Sequence, residues 1–215
     1  MPPVNLQMQS PSVNIHIWDM DEPLSFFLQR TRLTAAEQDV ISNISGSKRQ
    51  LEYIVQRFLL QEYNVEYNIP ILMKTPNGKP ILASSQFQVS ITHSGPLLAL
   101  SRSRREHGID LERLDERIIR LAPKFCNLNE LQVPSFVGPI LWYTLIWSCK
   151  EALYKVDGLG NLDFRRDLAT YFTAVSMSRG SGRGIVRRGD QIFYYSLSFE
   201  ILEDYIFTLA YPMHK

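Results

Sequence analysis

The chain has 215 residues, 45% hydrophobic and 21% charged, which supplies enough apolar material for a sizeable core and excludes a globally disordered polypeptide. Its 23 Lys and Arg against 22 Asp and Glu leave a formal charge of +1, so no overall basic field calls for nucleic acid and no acidic tail for a basic partner. Against about 150 residues per domain, the length admits one large domain or two fused half-size units.

The two cysteines, Cys126 and Cys149, are not a CxxC pair and cannot build a disulfide framework or a four-ligand zinc site, which points to a reduced, cytoplasmic setting. Residues 1–9 carry no basic stretch followed by an apolar one, and nothing reaches the ~18 apolar residues of a membrane span. Neither export nor a membrane anchor is expected. The most apolar run, residues 140–147, is short enough to read as a buried helix.

In chain order, Val13, Ile15 and Ile17 alternate with polar or amphipathic neighbours as a half-buried strand does. Thr34 and Glu37 have capping-box spacing, predicting a helix over 35–44. A second helix is predicted over 48–63, where Leu51, Ile54, Val55, Phe58 and Leu59 form one apolar stripe. Pro76-Asn77-Gly78 signals a turn, and alternating Phe87, Val89 and Ile91, a Gly95-Pro96 turn and the apolar stretch 97–100 read as hairpin strands. A strand over 107–112 and a short helix over 117–125, which Pro123 could break or kink, come next. A longer helix begins near Pro139, and strands over 171–177, 185–188, 192–199 and 205–211 complete the chain. Each half thus reads as strand, helices, hairpin. The stretches 89–100 and 195–210 are either a weak internal duplication with a join near 101–106 or a chance similarity of two hairpins.

Three groups of residues could carry chemistry. In Gly108-Ile-Asp-Leu-Glu112, an extended backbone puts Asp110 and Glu112 on one face and Ile109 and Leu111 on the other. Two hard oxygen ligands then converge, although such a pair is also common as a solvated polar face. In Trp147-Ser-Cys-Lys-Glu-Ala-Leu-Tyr-Lys155, helical spacing puts Leu141, Leu145, Cys149, Ala152 and Val156 on a core stripe. Trp147, Lys150, Glu151 and Tyr154 fall opposite, with Lys155 at their edge. The bland alternative is a Glu151/Lys155 surface pair worth a few tenths of a kcal/mol. Cys149, on the core stripe, reads as an inert packed thiol. Gly78-Lys79-Pro80 and Ser90-Ile-Thr-His-Ser94 offer donors suited to phosphate, a weak signal alone.

Taken together and in this order, the four motifs resemble those of the 4′-phosphopantetheinyl transferases, in particular the longer, pseudo-dimeric type. The likeness runs over residues 48–155, with Lys48, Arg49 and Arg57 similar to that family's basic helix start and residues 125–130 similar to the segment before the Trp-Lys-Glu helix. It implies an α+β protein of two similar subdomains in pseudo-twofold arrangement, residues 1–104 and 105–215, each a small antiparallel sheet packed with helices, with the nucleotide between them. The implied activity is transfer of the phosphopantetheine arm of coenzyme A to a serine of an apo acyl or peptidyl carrier protein, as in a holo-acyl-carrier-protein synthase. Such a chain would work as a monomer.

The resemblance also implies the site. Asp110, Glu112 and Glu151 would hold Mg²⁺, with Mn²⁺ as an alternative, because Mg²⁺ takes a few carboxylates and fills its shell with phosphate oxygens and water. Lys155 would neutralise the leaving group, and His93 and Ser94 would donate to phosphate. Lys79 and Arg49 would serve the nucleotide end, with Lys150 also on the site face. Glu151 is the family-based base, with Glu112 or a metal-bound water as alternatives. Arg117, Arg120 and Lys124, with Leu114, Ile118 and Leu121, would dock an acidic carrier, or are simply an amphipathic helix. The arginine-rich stretches 102–105 and 179–188 are expected to be solvated turns rather than RNA contacts. Two rival functions remain open: another Mg²⁺-dependent phosphoryl-transfer enzyme or phosphohydrolase, and a catalytically silent carrier-binding module.

Overall fold

The computed structural model describes residues 13–63, 71–83, 85–176 and 178–213. The reading of residues 1–9 and the end of the strand predicted at Met177 lie outside them.

The first half runs β1 (Asn14–Asp19), α1 (Leu24–Leu28), α2 (Ala35–Asn43), α3 (Ser47–Glu62), β2 (Ile71–Lys74), β3 (Pro80–Ala83), β4 (Gln88–Ser94) and β5 (Leu97–Ser103). The second runs β6 (Gly108–Arg113), α4 (Arg117–Phe125), α5 (Pro139–Asp157), β7 (Leu168–Val175), β8 (Arg179–Arg188), β9 (Gln191–Leu202) and β10 (Tyr205–Pro212). Strands order as β1-β5-β4 in one antiparallel sheet and β6-β10-β9-β8-β7 in another, with β2-β3 a separate hairpin. In both sheets the first strand of the half pairs with its last, and the last with the one before it. The protein is therefore α+β, small antiparallel sheets packed against helices, as the sequence implies.

Local chemistry explains the helices. Thr34 and Glu37 form the expected reciprocal capping box, and Arg57 Nε then donates to Glu37 Oε1 at 2.9 Å, tying α2 to α3. The apolar stripe of α3 packs Ile54, Val55, Phe58 and Leu59 against Leu98 and Leu100 of β5. Helix α5 has Pro139 in its first turn and a left-handed Gly158 at its C-cap. Its stripe Leu145, Cys149, Ala152 and Val156 packs on Leu168, Val186, Leu197 and Phe199. The segment predicted to break at Pro123 stays helical through Phe125; the proline sits two residues before the end and forfeits few backbone bonds.

Strand β5 is buried throughout because its two faces serve two cores. Leu98 and Leu100 meet α3, while Leu97 and Ala99 join Ile109, Leu111, Phe207 and Leu209 between the two sheets. The sheets also meet at a seam made by side chains. Ser90 Oγ, Thr92 Oγ1 and Ser94 Oγ accept the backbone N–H groups of Ile109, Leu111 and Arg113 at 3.0, 3.2 and 3.0 Å. Alternate hydroxyls of β4 thereby satisfy alternate donors of β6, of which those of Ile109 and Leu111 would otherwise be buried without partners.

Two expectations are overturned. Residues 179–184, expected as part of a solvated turn, instead extend the strand expected over 185–188 into β8, in which Gly180, Gly182 and Gly184 share one face. A Cβ would lie 2.3 Å from Ala174 O at Gly180 and 2.4 Å from Tyr171 O at Gly182, backbone atoms that cannot rotate away, and 2.5 Å from the end of the Leu153 side chain at Gly184. Arg102 is likewise in strand β5, buried, with its guanidinium 4.6 Å from the Phe87 ring centroid.

Gly108 marks where β6 leans on α5. A Cβ would lie 2.2 Å from Ala152 O and 2.6 Å from Val156 N, backbone atoms that cannot rotate away. Gly108→Ala is expected to destabilise by about 1–3 kcal/mol, read as a lowered urea midpoint. An unchanged midpoint would mean that the strand can slide on the helix.

Candidate active site

Strand β6 and helix α5 carry the acidic residues. Because the strand turns Ile109 and Leu111 into the inter-sheet core, Asp110 and Glu112 fall on the face towards α5. Asp110 is buried, its side chain only 3% exposed. Its Oδ1 accepts from Lys155 Nζ at 2.7 Å and from Thr92 Oγ1 at 3.0 Å. Its Oδ2 is buried with no partner. Trp147 Nε1 donates to Glu112 Oε1 at 2.9 Å, a direct link from α5 to β6. The Trp147 ring is itself set by Phe125 and Phe164, at centroid distances of 5.0 and 5.4 Å.

The three carboxylates repel one another. Burial, and then the Asp110 charge, push Glu151 up to about 7. The same two causes push Glu112 up to about 7, against the bonds from Trp147 and Ser94 and the Lys155 charge. Among the described residues, no group of three or more His, Cys, Asp or Glu side chains converges as a ready metal cage. The Lys155 ammonium instead compensates part of the charge. The donor set nevertheless suits a hard dication: carboxylates only, an orphaned buried oxygen, and two acids destabilised in their charged forms.

A cleft opens beside this cluster, with Lys74, Lys79, His93, Tyr154 and Lys155 in its lining. His93 is about half exposed, its Nδ1 3.4 Å from Glu52 Oε1. A second hollow shares Lys74 and His93 with the cleft and carries Arg49 on its wall. Lys79 is less free than expected. Its ammonium donates to Val156 O at 2.9 Å and its chain lies on Gly158, where a Cβ would be 2.3 Å from Lys79 Cδ. With Asn77 Nδ2 donating to Leu159 O at 3.0 Å, the Gly-Lys-Pro turn clasps the C-terminal end of α5. Ser94 Oγ accepts from Arg113 N in the seam and gives its proton to Glu112.

Lys150 is a correction. Instead of facing the site it is fully buried, donating to Phe125 O at 2.8 Å, Phe164 O at 2.8 Å and Glu130 Oε2 at 2.6 Å. Glu130 also accepts from Asn127 N, Thr170 N and Thr170 Oγ1. The apparent polar face of α5 is thus mostly interior, because α4, the 126–138 loop and β7 cover it. Burial pushes the Cys149 thiol up, consistent with an inert packed thiol. Arg117, Arg120 and Lys124 are exposed on α4 beside an exposed Leu121, while Ile118 turns into a core and Arg117 pairs with Asp115. Among the described residues no helix is long and apolar enough to cross a membrane.

Comparison with known proteins bears on this geometry. Residues 106–210, the span holding β6, α5 and all three carboxylates, match the family model of the 4′-phosphopantetheinyl transferase superfamily. A curated relative, the 4′-phosphopantetheinyl transferase gsp of Aneurinibacillus migulanus, is 28% identical over 123 residues, or 55% of this chain and 52% of that protein. The match thus spans about half the length of the relative.

Proposed function

Through residues 106–210 the chain belongs to the 4′-phosphopantetheinyl transferase superfamily, and on that premise we propose that it moves the 4′-phosphopantetheine arm of coenzyme A onto a serine of an apo carrier protein. The observation that carries the reading is the buried Asp110, paired with Lys155 at the wall of a cation-lined cleft, with the half-buried Glu112 and Glu151 close enough to feel its charge. Mg²⁺, held by the three carboxylates, would supply charge neutralisation on the pyrophosphate of coenzyme A.

The chain's own residues do the rest. The serine oxygen bonds to the β-phosphorus while the bond from that phosphorus to the bridging oxygen breaks, and adenosine 3′,5′-bisphosphate leaves with that oxygen. Glu151 takes the serine proton, and Glu112 is its alternative. Lys155, within reach of both Asp110 and the cleft, shifts towards the charge that grows on the leaving phosphate. His93 donates from the β4 side, and Arg49 lies in the adjoining hollow on the nucleotide's path. The exposed cations of α4, Arg117, Arg120 and Lys124, with Leu121, form the docking face for an acidic carrier helix. The two halves, residues 1–104 and 105–215, together complete the site, so one chain suffices, and a cytoplasmic setting follows from its substrates.

The test is intact mass. Apo acyl and peptidyl carriers incubated with the protein, coenzyme A and Mg²⁺ should gain the phosphopantetheine arm at one serine, with equimolar adenosine 3′,5′-bisphosphate. Mass gain on one carrier type would assign the subtype. No gain on any carrier, with hydrolysis of coenzyme A or another phosphoanhydride instead, would favour the phosphohydrolase reading.

A further inference from the structure

The position of Asp110 depends on a residue from the other half of the chain. Thr92 is 5% exposed on β4. Its Oγ1 is 3.2 Å from Leu111 N, which has only a proton to give, so the hydroxyl must accept there. The one hydroxyl proton is then available to its other near neighbour, Asp110 Oδ1, at 3.0 Å. A hydroxyl that accepts from the backbone of residue 111 and donates to the side chain of residue 110 has no rotational freedom left. Ser90 and Ser94 make the same seam bond to β6 two residues either way, but no Asp110 contact accompanies theirs.

The consequence falls on Asp110. With Thr92 and Lys155 both on Oδ1, the carboxylate cannot flip, and Oδ2 is left buried and without a partner. A buried, unpaired carboxylate oxygen is costly unless something positive meets it. We propose that Thr92 is a positioning residue that clamps Asp110 Oδ1 and thereby aims Oδ2 at a divalent cation, so that the N-terminal half tunes the acidic site of the C-terminal half. This deepens the transferase reading and rests on it for its role in turnover, but not for cation binding.

Three variants separate clamping from seam stability. Thr92→Val keeps the shape and removes the hydroxyl, Thr92→Ser keeps the hydroxyl, and Ser90→Ala removes a neighbouring seam bond without touching Asp110. Direct Mn²⁺ binding, read from the electron paramagnetic resonance signal of free Mn²⁺, is the readout independent of turnover. In Thr92→Val, Mn²⁺ affinity and carrier-loading kcat should each fall about ten- to a hundred-fold, with KM for coenzyme A little changed. Thr92→Ser should restore both, and Ser90→Ala should lower the melting temperature while keeping Mn²⁺ affinity. If Thr92→Val does not fold, Thr92→Cys, a weak donor and acceptor, replaces it and should show a loss of the same kind.

Wild-type Mn²⁺ affinity in Thr92→Val, an equal loss in Ser90→Ala, or a wild type that binds no Mn²⁺ would overturn the proposal. Variants that differ in Mn²⁺ binding as stated, in a protein that loads no carrier, would uphold the clamp and remove only the transferase reading.

Discussion

Glu151→Gln should cut carrier loading about a hundred- to ten-thousand-fold while making the metal-free protein more stable above pH 7. The stability effect has an electrostatic cause. Glu151 is raised from 4.5 to about 7 by burial and by the Asp110 charge. Between those values the folded protein keeps a proton that the unfolded chain has released. Stability therefore falls as pH rises through that window, and the full cost is present above about 7 and absent below about 4.5. For one such group the cost is on the order of 3 kcal/mol, and for Glu112 and Glu151 together it is not the simple sum, because the Glu112 charge is itself one of the causes that raise Glu151. Glutamine fills the same space without the charge. Melting curves at pH 5 and pH 8 in chelator should show the variant gaining several degrees at the higher pH only. A variant that still loads carrier at the wild-type rate, or that gains nothing at pH 8, would contradict the assignment.

Lys150→Met is the second large effect, and it concerns stability. Lys150 and Glu130 are a fully buried pair with every ammonium hydrogen placed on an acceptor. Burial pushes the Lys150 ammonium down and the Glu130 charge pulls it back up. Removing the lysine leaves a buried carboxylate whose remaining donors are Asn127 N, Thr170 N and Thr170 Oγ1. The expected loss is about 3–5 kcal/mol in denaturant unfolding. Glu130→Gln alone should also destabilise, and the double variant should be more stable than Lys150→Met, because no unpaired charge stays behind. Equal stability of Lys150→Met and wild type would show the pair to be dispensable.

The contrast between these residues shows what a linear pattern can carry. Period-2 alternation fixed the roles of Ile109 and Leu111 against Asp110, since a strand has only two faces. Helical period gave the core stripe of α5 but misplaced Lys150, because a helix covered on several sides has no solvent face for a charge to mark. In residues 179–184 the arginines suggest a turn, whereas the glycines at every second position are the informative signal, one strand face pressed by Phe199 and Leu153. The short helix α1 carried no readable period in five residues. Thr92 went unassigned for a different reason. Its alternation with Ser90 and Ser94 was visible, but that these hydroxyls replace backbone partners across a seam is a tertiary fact. Lys79 likewise read as a free cation because the carbonyl it caps lies 77 positions away.

In the proposed site, β6 and α5 would bring Asp110, Glu112 and Glu151 around one divalent ion at the edge of the cleft that Lys79, His93 and Lys155 line. Crystals grown with coenzyme A and Mn²⁺ test it through anomalous scattering from the metal. One Mn²⁺ peak is expected at about 2.0–2.2 Å from oxygens of those carboxylates, Asp110 Oδ2 among them, and from the pyrophosphate. A peak elsewhere, or coenzyme A bound with its pyrophosphate away from this cluster, would contradict it.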